Sequence, residues 1–270
     1  MDWSKTKTIF IIVFSILNVF LYSLYVNRYN EEQEIETYAE TTIADRLKSE
    51  NITIKGLPAE NQKTSYISGQ IKQFKPTDFK KIGDQHFNII NGPMRTLKFE
   101  KPVSLKNIED ISLTEFMAEY VSGGETYKLW RIDEEKREAI FFQKINNRII
   151  YFNKNAMVTL HWNKDLAVTG YDQTMLESLE AVGEKSTLFT AIEAIKVLYK
   201  KGLLKQDSKI DKPQLGYSTF APLIETQVLS PTWHIHVVFV EGDEADYFIN
   251  AVDGQVIDIQ AKEDKELESE

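Results

Sequence analysis

The feature that most constrains this chain is an uncharged apolar run close to its start. Residues 9–26 read IFIIVFSILNVFLYSLYV and contain no charged side chain. A helix needs about 20 residues, with a range of about 17–25, to cross the hydrocarbon core of a membrane. The run therefore predicts a single transmembrane helix over residues 9–27, preceded by a cytoplasmic tail of residues 1–8.

A cleaved signal peptide is the main alternative interpretation of the same run. Cleavage requires small residues in an A-x-A-like arrangement after a core of about 7–15 apolar residues, whereas the first alanine of this chain is Ala39. The chain also has no cysteine, so the lipid-modified cysteine of a bacterial lipoprotein is excluded. We expect the helix to be retained as an anchor.

Charges on the two sides of the run predict its orientation. Lys5 and Lys7 precede it, whereas Arg28 is followed at once by four glutamates within residues 31–36. Cytoplasmic flanks of membrane helices carry an excess of Lys and Arg. The expected localisation is therefore the cell membrane, with a single pass, a cytoplasmic N-terminus and an extracellular C-terminal domain.

Four polar or amphipathic residues form a stripe within the predicted anchor. Ser15, Asn18, Tyr22 and Tyr25 are spaced by three or four residues, so they share one helix face. A hydrogen bond from the Asn18 amide to a neighbouring transmembrane helix is worth about 0.6–2 kcal/mol. The stripe favours a transmembrane partner, although single polar residues are also tolerated in membranes and tyrosines also serve as interfacial anchors.

Hydrophobic patterning predicts an α+β domain after the anchor. Five strand-like stretches between residues 127 and 172 alternate with short polar turns, so an antiparallel meander is expected. Helical spacing followed by strand-like alternation occurs twice, at 30–74 and 187–260, which predicts two extracytoplasmic lobes of antiparallel sheets with packed helices. The predicted regions are a cytoplasmic tail (1–8), a transmembrane helix (9–27), a membrane-proximal helix and first lobe with the meander (28–173), a second α+β lobe (174–261) and an acidic tail (262–270).

No arrangement of residues predicts an enzyme, a metal site or a cofactor. His234 and His236 would share one strand face and could bind a metal, but no third ligand lies near them in sequence, so half-buried histidines with polar partners are the preferred interpretation. Ser4 and Lys7 formally satisfy S-x-x-K, yet they precede the anchor, and the usual hydrolase and phosphate-loop motifs are absent. A net charge of −9 argues against nucleic-acid binding.

Three tryptophans lie in apolar strand patterns, namely Trp130, Trp162 and Trp233. Tryptophans in such patterns are expected to fill the core, with stacking on glycans as the alternative. The pattern therefore favours a structural role for all three.

Two segments carry a resemblance to known proteins. Residues 1–8, MDWSKTKT, run directly into an Ile- and Phe-rich anchor, and this start is similar to that of the YycI family, also called WalI. Residues 231–237, PTWHIHV, and the Asp-Gly hairpin within 247–257 resemble the end of PepSY-like modules. The outer parts of the YycI and YycH regulators resemble such modules as well.

The resemblance to YycI implies a function without catalytic residues. It implies a membrane-anchored regulator of the sensor histidine kinase YycG (WalK), which belongs with YycF (WalR) to an essential two-component system of cell-wall metabolism in Gram-positive bacteria. The implied partners are this kinase and the companion regulator YycH (WalH), reached by protein–protein contact. The alternative is an extracytoplasmic PepSY-type inhibitory or wall-binding module that works independently of the kinase.

Overall fold

Strands dominate the protein, whose computed structural model describes residues 7, 10–11, 13–15, 17–23, 43, 45–58, 63–75, 94–223 and 225–258. The strands are β1 (Thr53–Lys55), β2 (Lys63–Ile71), β3 (Arg95–Ser104), β4 (Tyr127–Asp133), β5 (Glu138–Ile145), β6 (Arg148–Tyr151), β7 (Met157–Trp162), β8 (Ala167–Gln173), β9 (Leu176–Thr187), β10 (Lys209–Pro222), β11 (Thr226–Val238), β12 (Glu244–Asn250) and β13 (Val256–Ile257). After residue 54 the described helices are α1 (Asp110–Tyr120) and α2 (Ala191–Lys200), with a 3-10 turn over Gly124–Thr126. The domain is thus mostly β-sheet with few helices.

The chain divides into two compact units. The smaller unit comprises residues 1–53 together with Lys205–Asp207, and the larger unit comprises the remainder. Within the smaller unit, residues 45–49 are helical. The Asn51 side-chain amide donates a hydrogen bond of 2.7 Å to the Asp207 carboxylate, and the Asp207 backbone N–H donates one of 2.8 Å to the Glu50 carbonyl.

The first sheet contains four of the five strands predicted between residues 127 and 172, together with β3. Its order is β3-β8-β7-β5-β4, with antiparallel pairing throughout. Between β5 and β6 the chain turns on Asn146 and Asn147, both with positive φ (48° and 64°), which suits a two-residue hairpin. β6 pairs antiparallel with β5, as predicted. The meander ends there, because β6 pairs in parallel with β10 through Ile150 and Tyr151, and β7 pairs with β5 instead.

Helix α1 covers one face of this first sheet. Leu113, Phe116 and Met117 are its buried residues, and they belong to a core cluster with strand residues including Phe141 and Leu160. The helix ends before Gly124, where an added Cβ would lie 1.8 Å from the Met117 carbonyl oxygen. Only glycine fits this close approach of two backbone segments.

The second sheet is organised around the long strand β11. Its residues Thr226–Leu229 pair with β2, its residues Thr232–Val238 pair with β12, and β10 lies along its other edge. β2 also pairs with β9. Residues 63–71, assigned by sequence to the first predicted lobe, therefore share a sheet with strands assigned to the second, while the boundary between residues 173 and 174 stays a prediction.

Helix α2 begins four residues later than the sequence suggested. Ser186 was the expected N-cap, but it lies within β9, and Thr190 forms a capping box with Glu193 instead. The helix stops before Gly202, whose φ of +69° ends it as predicted. Its neighbour in the sheet is Trp233, whose indole N–H donates a 2.7 Å hydrogen bond to the Phe189 carbonyl.

Candidate functional site: a histidine–carboxylate cluster

Strands β11 and β12 bring two histidines and one aspartate together. In their antiparallel register His234 lies opposite Phe248, and His236 lies opposite Asp246. Because alternate residues of a strand share a face, all four side chains point to the same side of the sheet. The sequence predicted the shared face of the two histidines, and the structure adds the carboxylate between them.

Both imidazole rings bind the same carboxylate oxygen. His234 Nε2 lies 2.6 Å from Asp246 Oδ1, and His236 Nδ1 lies 3.0 Å from it. The second ring nitrogen of His236 lies 3.7 Å from Glu244 Oε2. His234 is 8% exposed, whereas about 40% of the Asp246 side chain remains open to solvent. The carboxylate thus joins a buried histidine to a half-exposed one.

An aromatic cluster surrounds His234. Its ring stacks on Phe248 with centroids 5.0 Å apart and meets the Trp130 ring edge-on at 5.0 Å. Tyr151 lies 5.4 Å away. The aromatic cluster consists of Trp130, Phe142, Tyr151, Phe152 and Phe248. These residues come from or directly follow β4, β5, β6 and β12, so the cluster joins the two sheets beside the histidines.

Burial and charge shift the ionisation of two groups in this site. Burial raises the pKa of the Tyr151 hydroxyl, and the nearby charge of Asp246 raises this pKa further. Among the residues that the structure describes, that buried hydroxyl has no hydrogen-bond partner, so Tyr151 stays neutral. Burial also acts to raise the pKa of Asp246, but hydrogen bonds and positive charge from His234 and His236 outweigh it and hold this pKa below its ordinary value of 3.8.

The arrangement is better suited to linking two strands by hydrogen bonds than to binding a metal. Each histidine directs one ring nitrogen to Asp246, and a metal site would need further ligands that converge with these two rings. Within the described parts of the chain, no group of three or more His, Cys, Asp or Glu side chains could hold a metal ion. The chemistry available is proton-dependent hydrogen bonding between β11 and β12.

A third histidine, on the first sheet, has a similar environment. His161 Nε2 lies 2.9 Å from Asp172 Oδ2, and His161 Nδ1 lies 3.4 Å from Glu138 Oε1. The Thr96 hydroxyl donates to Asp172 on the other side. The two carboxylates sit at opposite ends of the imidazole ring, so they link β5, β7 and β8 rather than converge on one point.

The predicted transmembrane stripe is described only in part. Ser15, Asn18 and Tyr22 are helical and exposed, and Tyr25 lies outside the described residues. Among the residues that the structure describes, no helix is both long and apolar enough to span a bilayer. The role of the stripe in binding a partner stays a prediction.

Exchanging Asp246 for asparagine should destabilise the domain by roughly 1 kcal/mol near neutral pH. Hydrogen bonds to charged groups contribute about 1.5–3 kcal/mol, and solvent at this partly exposed carboxylate weakens them. Because the folded-state pKa of Asp246 lies below 3.8, the carboxylate stabilises the fold above that value and loses its effect as pH falls through the folded-state pKa. Urea unfolding at several pH values between 7 and 2.5 would measure this.

The matched control for this experiment is Asp243→Asn, on the exposed loop of the same hairpin. It should unfold like the wild type at every pH. A stability difference between wild type and Asp246→Asn that persists unchanged at pH 2.5 would contradict the assigned role of the carboxylate.

Comparisons with known proteins identify a family. The family model described as YycI protein matches residues 30–252, and no curated protein matches the chain. The crystal structure of an uncharacterized protein from Eubacterium rectale ATCC 33656 has a TM-score of 0.45 and 11% identity, covering 77% of this chain and 89% of that chain. The Bacillus megaterium YpeB C-terminal domain has a TM-score of 0.40 and 12% identity, covering 68% and 96%. Because the family match spans most of its length, this chain belongs to the YycI family.

Proposed function

We propose that this protein is a membrane-anchored extracytoplasmic regulator of the sensor kinase YycG (WalK). It acts with YycH (WalH) by protein–protein contact in the two-component system that controls cell-wall metabolism. The observation that carries the proposal is the YycI family match over residues 30–252. The apolar run at residues 9–26 supports it, because that run has the length and composition of an anchor.

The described site is consistent with regulation by contact. Its histidines and aspartate tie two strands together. A regulator of this kind changes kinase output only if it binds two states of the kinase with different free energies, and about 1–3 kcal/mol suffices.

The proposed route to the kinase runs through the anchor. Ser15, Asn18, Tyr22 and Tyr25 form the face that meets the transmembrane helix of a partner, with Asn18 as the hydrogen-bonding residue. The anchor also confines the outer domain near the kinase, which raises its effective concentration there. Association should therefore depend on the identity of the anchor and on the outer domain together.

Replacing Asn18 with leucine in the full-length chain should reduce co-purification with the kinase or with YycH by about 3- to 30-fold. That range corresponds to the loss of about 0.6–2 kcal/mol from one hydrogen bond between transmembrane helices. The measurement is crosslinking in membranes that contain all three proteins, followed by a pull-down through a tag on this chain.

The control variant is Phe20→Leu, on the opposite face of the predicted helix, and it should leave co-purification unchanged. A second arm exchanges the whole anchor for an unrelated one. If association and kinase output survive both Asn18→Leu and the exchange, the transmembrane contact is wrong. If soluble residues 29–270 alone retain full activity, the protein is the kinase-independent module instead.

A further inference from the structure

The second sheet leaves one of its faces open to solvent near β9. On β2, Ile67 points into a core cluster with Leu229 and Tyr217. Tyr66 and Ser68 alternate with Ile67, so they lie on the opposite face. An antiparallel sheet commonly keeps one face packed and the other solvated, and here the solvated face carries apolar side chains.

Three apolar residues form the centre of this open face. Tyr66 pairs across the strands with Val182 of β9, and its ring meets that of Phe220 at a centroid distance of 5.4 Å. Phe220 is 59% exposed and Val182 is 44% exposed. We call Tyr66, Val182 and Phe220 the open patch. A contiguous apolar patch of this kind marks an interaction site more often than isolated exposed residues do.

Acidic residues lie beside the open patch. Glu180 pairs with Ser68 in the same register, so it shares the face and lies one step along β9 from Val182. Glu184 is exposed in the bulge between Val182 and Ser186, next to the exposed Lys185. Neither glutamate forms an ion pair within the part of the chain that the structure describes. A partner that covers the patch therefore places its own positive charges here.

The edge of β9 is poorly suited to accept another strand. Its pairing with β2 is interrupted by two register shifts, and Ser178 and Gly183 have positive φ of 51° and 75°. Bulges and charged side chains are features that prevent edge-to-edge pairing.

A second copy of this chain is also disfavoured as the occupant of the open patch, because it would place the same glutamates against each other.

We propose that the open patch docks an amphipathic helix of a partner protein, with apolar residues on Tyr66, Val182 and Phe220 and with Lys or Arg opposite Glu180 and Glu184. A helix is the element that covers the face of a sheet in layered folds, and α2 contacts β11 of this same sheet. This inference rests on the proposed function and adds the chemistry of the outer partner segment to it.

The test places a photo-crosslinking amino acid at position 220 of the full-length chain in membranes that contain the kinase and YycH. Mass spectrometry then identifies the crosslinked peptide. The expected product is a segment with net positive charge and apolar residues at helical spacing. Raising the salt concentration from about 50 to 300 mM should lower its yield several-fold, because exposed charge pairs are screened.

Two variants test the surface independently of the crosslinker, using a probe placed at position 68. Val182→Ser should lower the yield about tenfold, and the double reversal Glu180→Lys with Glu184→Lys should lower it at least as much. The matched controls are Val240→Ser, which removes a 70% exposed valine two residues beyond the end of β11, and Glu134→Lys on the β4–β5 turn. Both controls should leave the yield unchanged.

The remaining outcomes separate this inference from the proposed function. Crosslinks only to a second copy, to lipid or to an acidic segment would overturn the docking of a basic helix, as would equal yields in the variants and the controls. If these results occur while Asn18-dependent co-purification with the kinase persists, the proposed function stands and the open patch has another role. If co-purification also fails, the proposed function fails with it.

Discussion

Truncating Trp233 to alanine is expected to destabilise the larger unit by about 3–5 kcal/mol, the cost typical of removing a buried tryptophan. Trp233 is among the largest fully buried side chains, and it lies on β11 beneath the start of α2. The substitution also removes the indole N–H that binds the Phe189 carbonyl. For a domain of this size, the melting temperature should fall by roughly 6–20 °C.

Phenylalanine at position 233 separates the contribution of the buried ring from that of the indole hydrogen bond. Trp233→Phe keeps most of the buried ring but loses the hydrogen bond, so it should cost about 1–3 kcal/mol. The measurement is urea unfolding of the full chain in detergent, followed by circular dichroism. If Trp233→Ala unfolds within 1 kcal/mol of the wild type, Trp233 does not hold α2 on the sheet and the assigned packing is wrong.

This position also shows why the tryptophans could be assigned from sequence. Trp162 and Trp233 alternate with polar residues in strand patterns, and both are buried as predicted. Trp130 is half-buried and belongs to the aromatic cluster beside His234. A period of two is a local signal, so side chains that face the core can be read from it.

Most strands were predictable for the same reason, and so were the hairpin pairs of neighbouring strands. The strands β3 and β9 were not predicted, nor was the pairing of β6 with β10. The two-residue turn correctly predicted that β6 pairs with β5, but β7 was also expected beside β6 and pairs with β5 instead. The β6 residues Ile149, Ile150 and Tyr151 are all buried, and a continuous apolar run is typical of a strand covered on both faces. That run was the available sign that β6 joins a second sheet.

The candidate site shows the limit of sequence reasoning more sharply. The shared face of His234 and His236 followed from their spacing, whereas Asp246 lies ten residues away and meets them only through the register of β11 and β12. Many aspartates and glutamates in this chain were equal candidates. At α2, Thr190 with Glu193 offered a capping box that Ser186 lacks. The start of this helix could therefore have been predicted from the sequence.

The parallel pairing of β6 with β10, which connects the two sheets, depends on the absence of a side chain at Gly216. β6 and β10 pair in parallel beside it, and an added Cβ would lie 2.4 Å from the Ile149 carbonyl oxygen and 2.4 Å from the Tyr151 ring. Both contacts are far inside van der Waals distance, and the carbonyl belongs to a buried backbone that has little room to move.

Gly216→Ala should therefore cost about 3 kcal/mol, at the upper end of overpacking a core. The comparison is Gly202→Ala, where an added Cβ meets no atom within 4 Å but φ is +69°, so only the left-handed backbone penalty of about 1–2 kcal/mol applies. Urea unfolding of both variants ranks their loss of stability directly.

Fluorescence gives a second measurement. Because β6 connects the two sheets beside the aromatic cluster, Gly216→Ala should also loosen the contact of Trp130 with His234. This change would appear as a red shift of tryptophan emission that Gly202→Ala lacks. Equal stability of the two variants would show that β6 can move away from β10 without cost, contrary to the close approach described here.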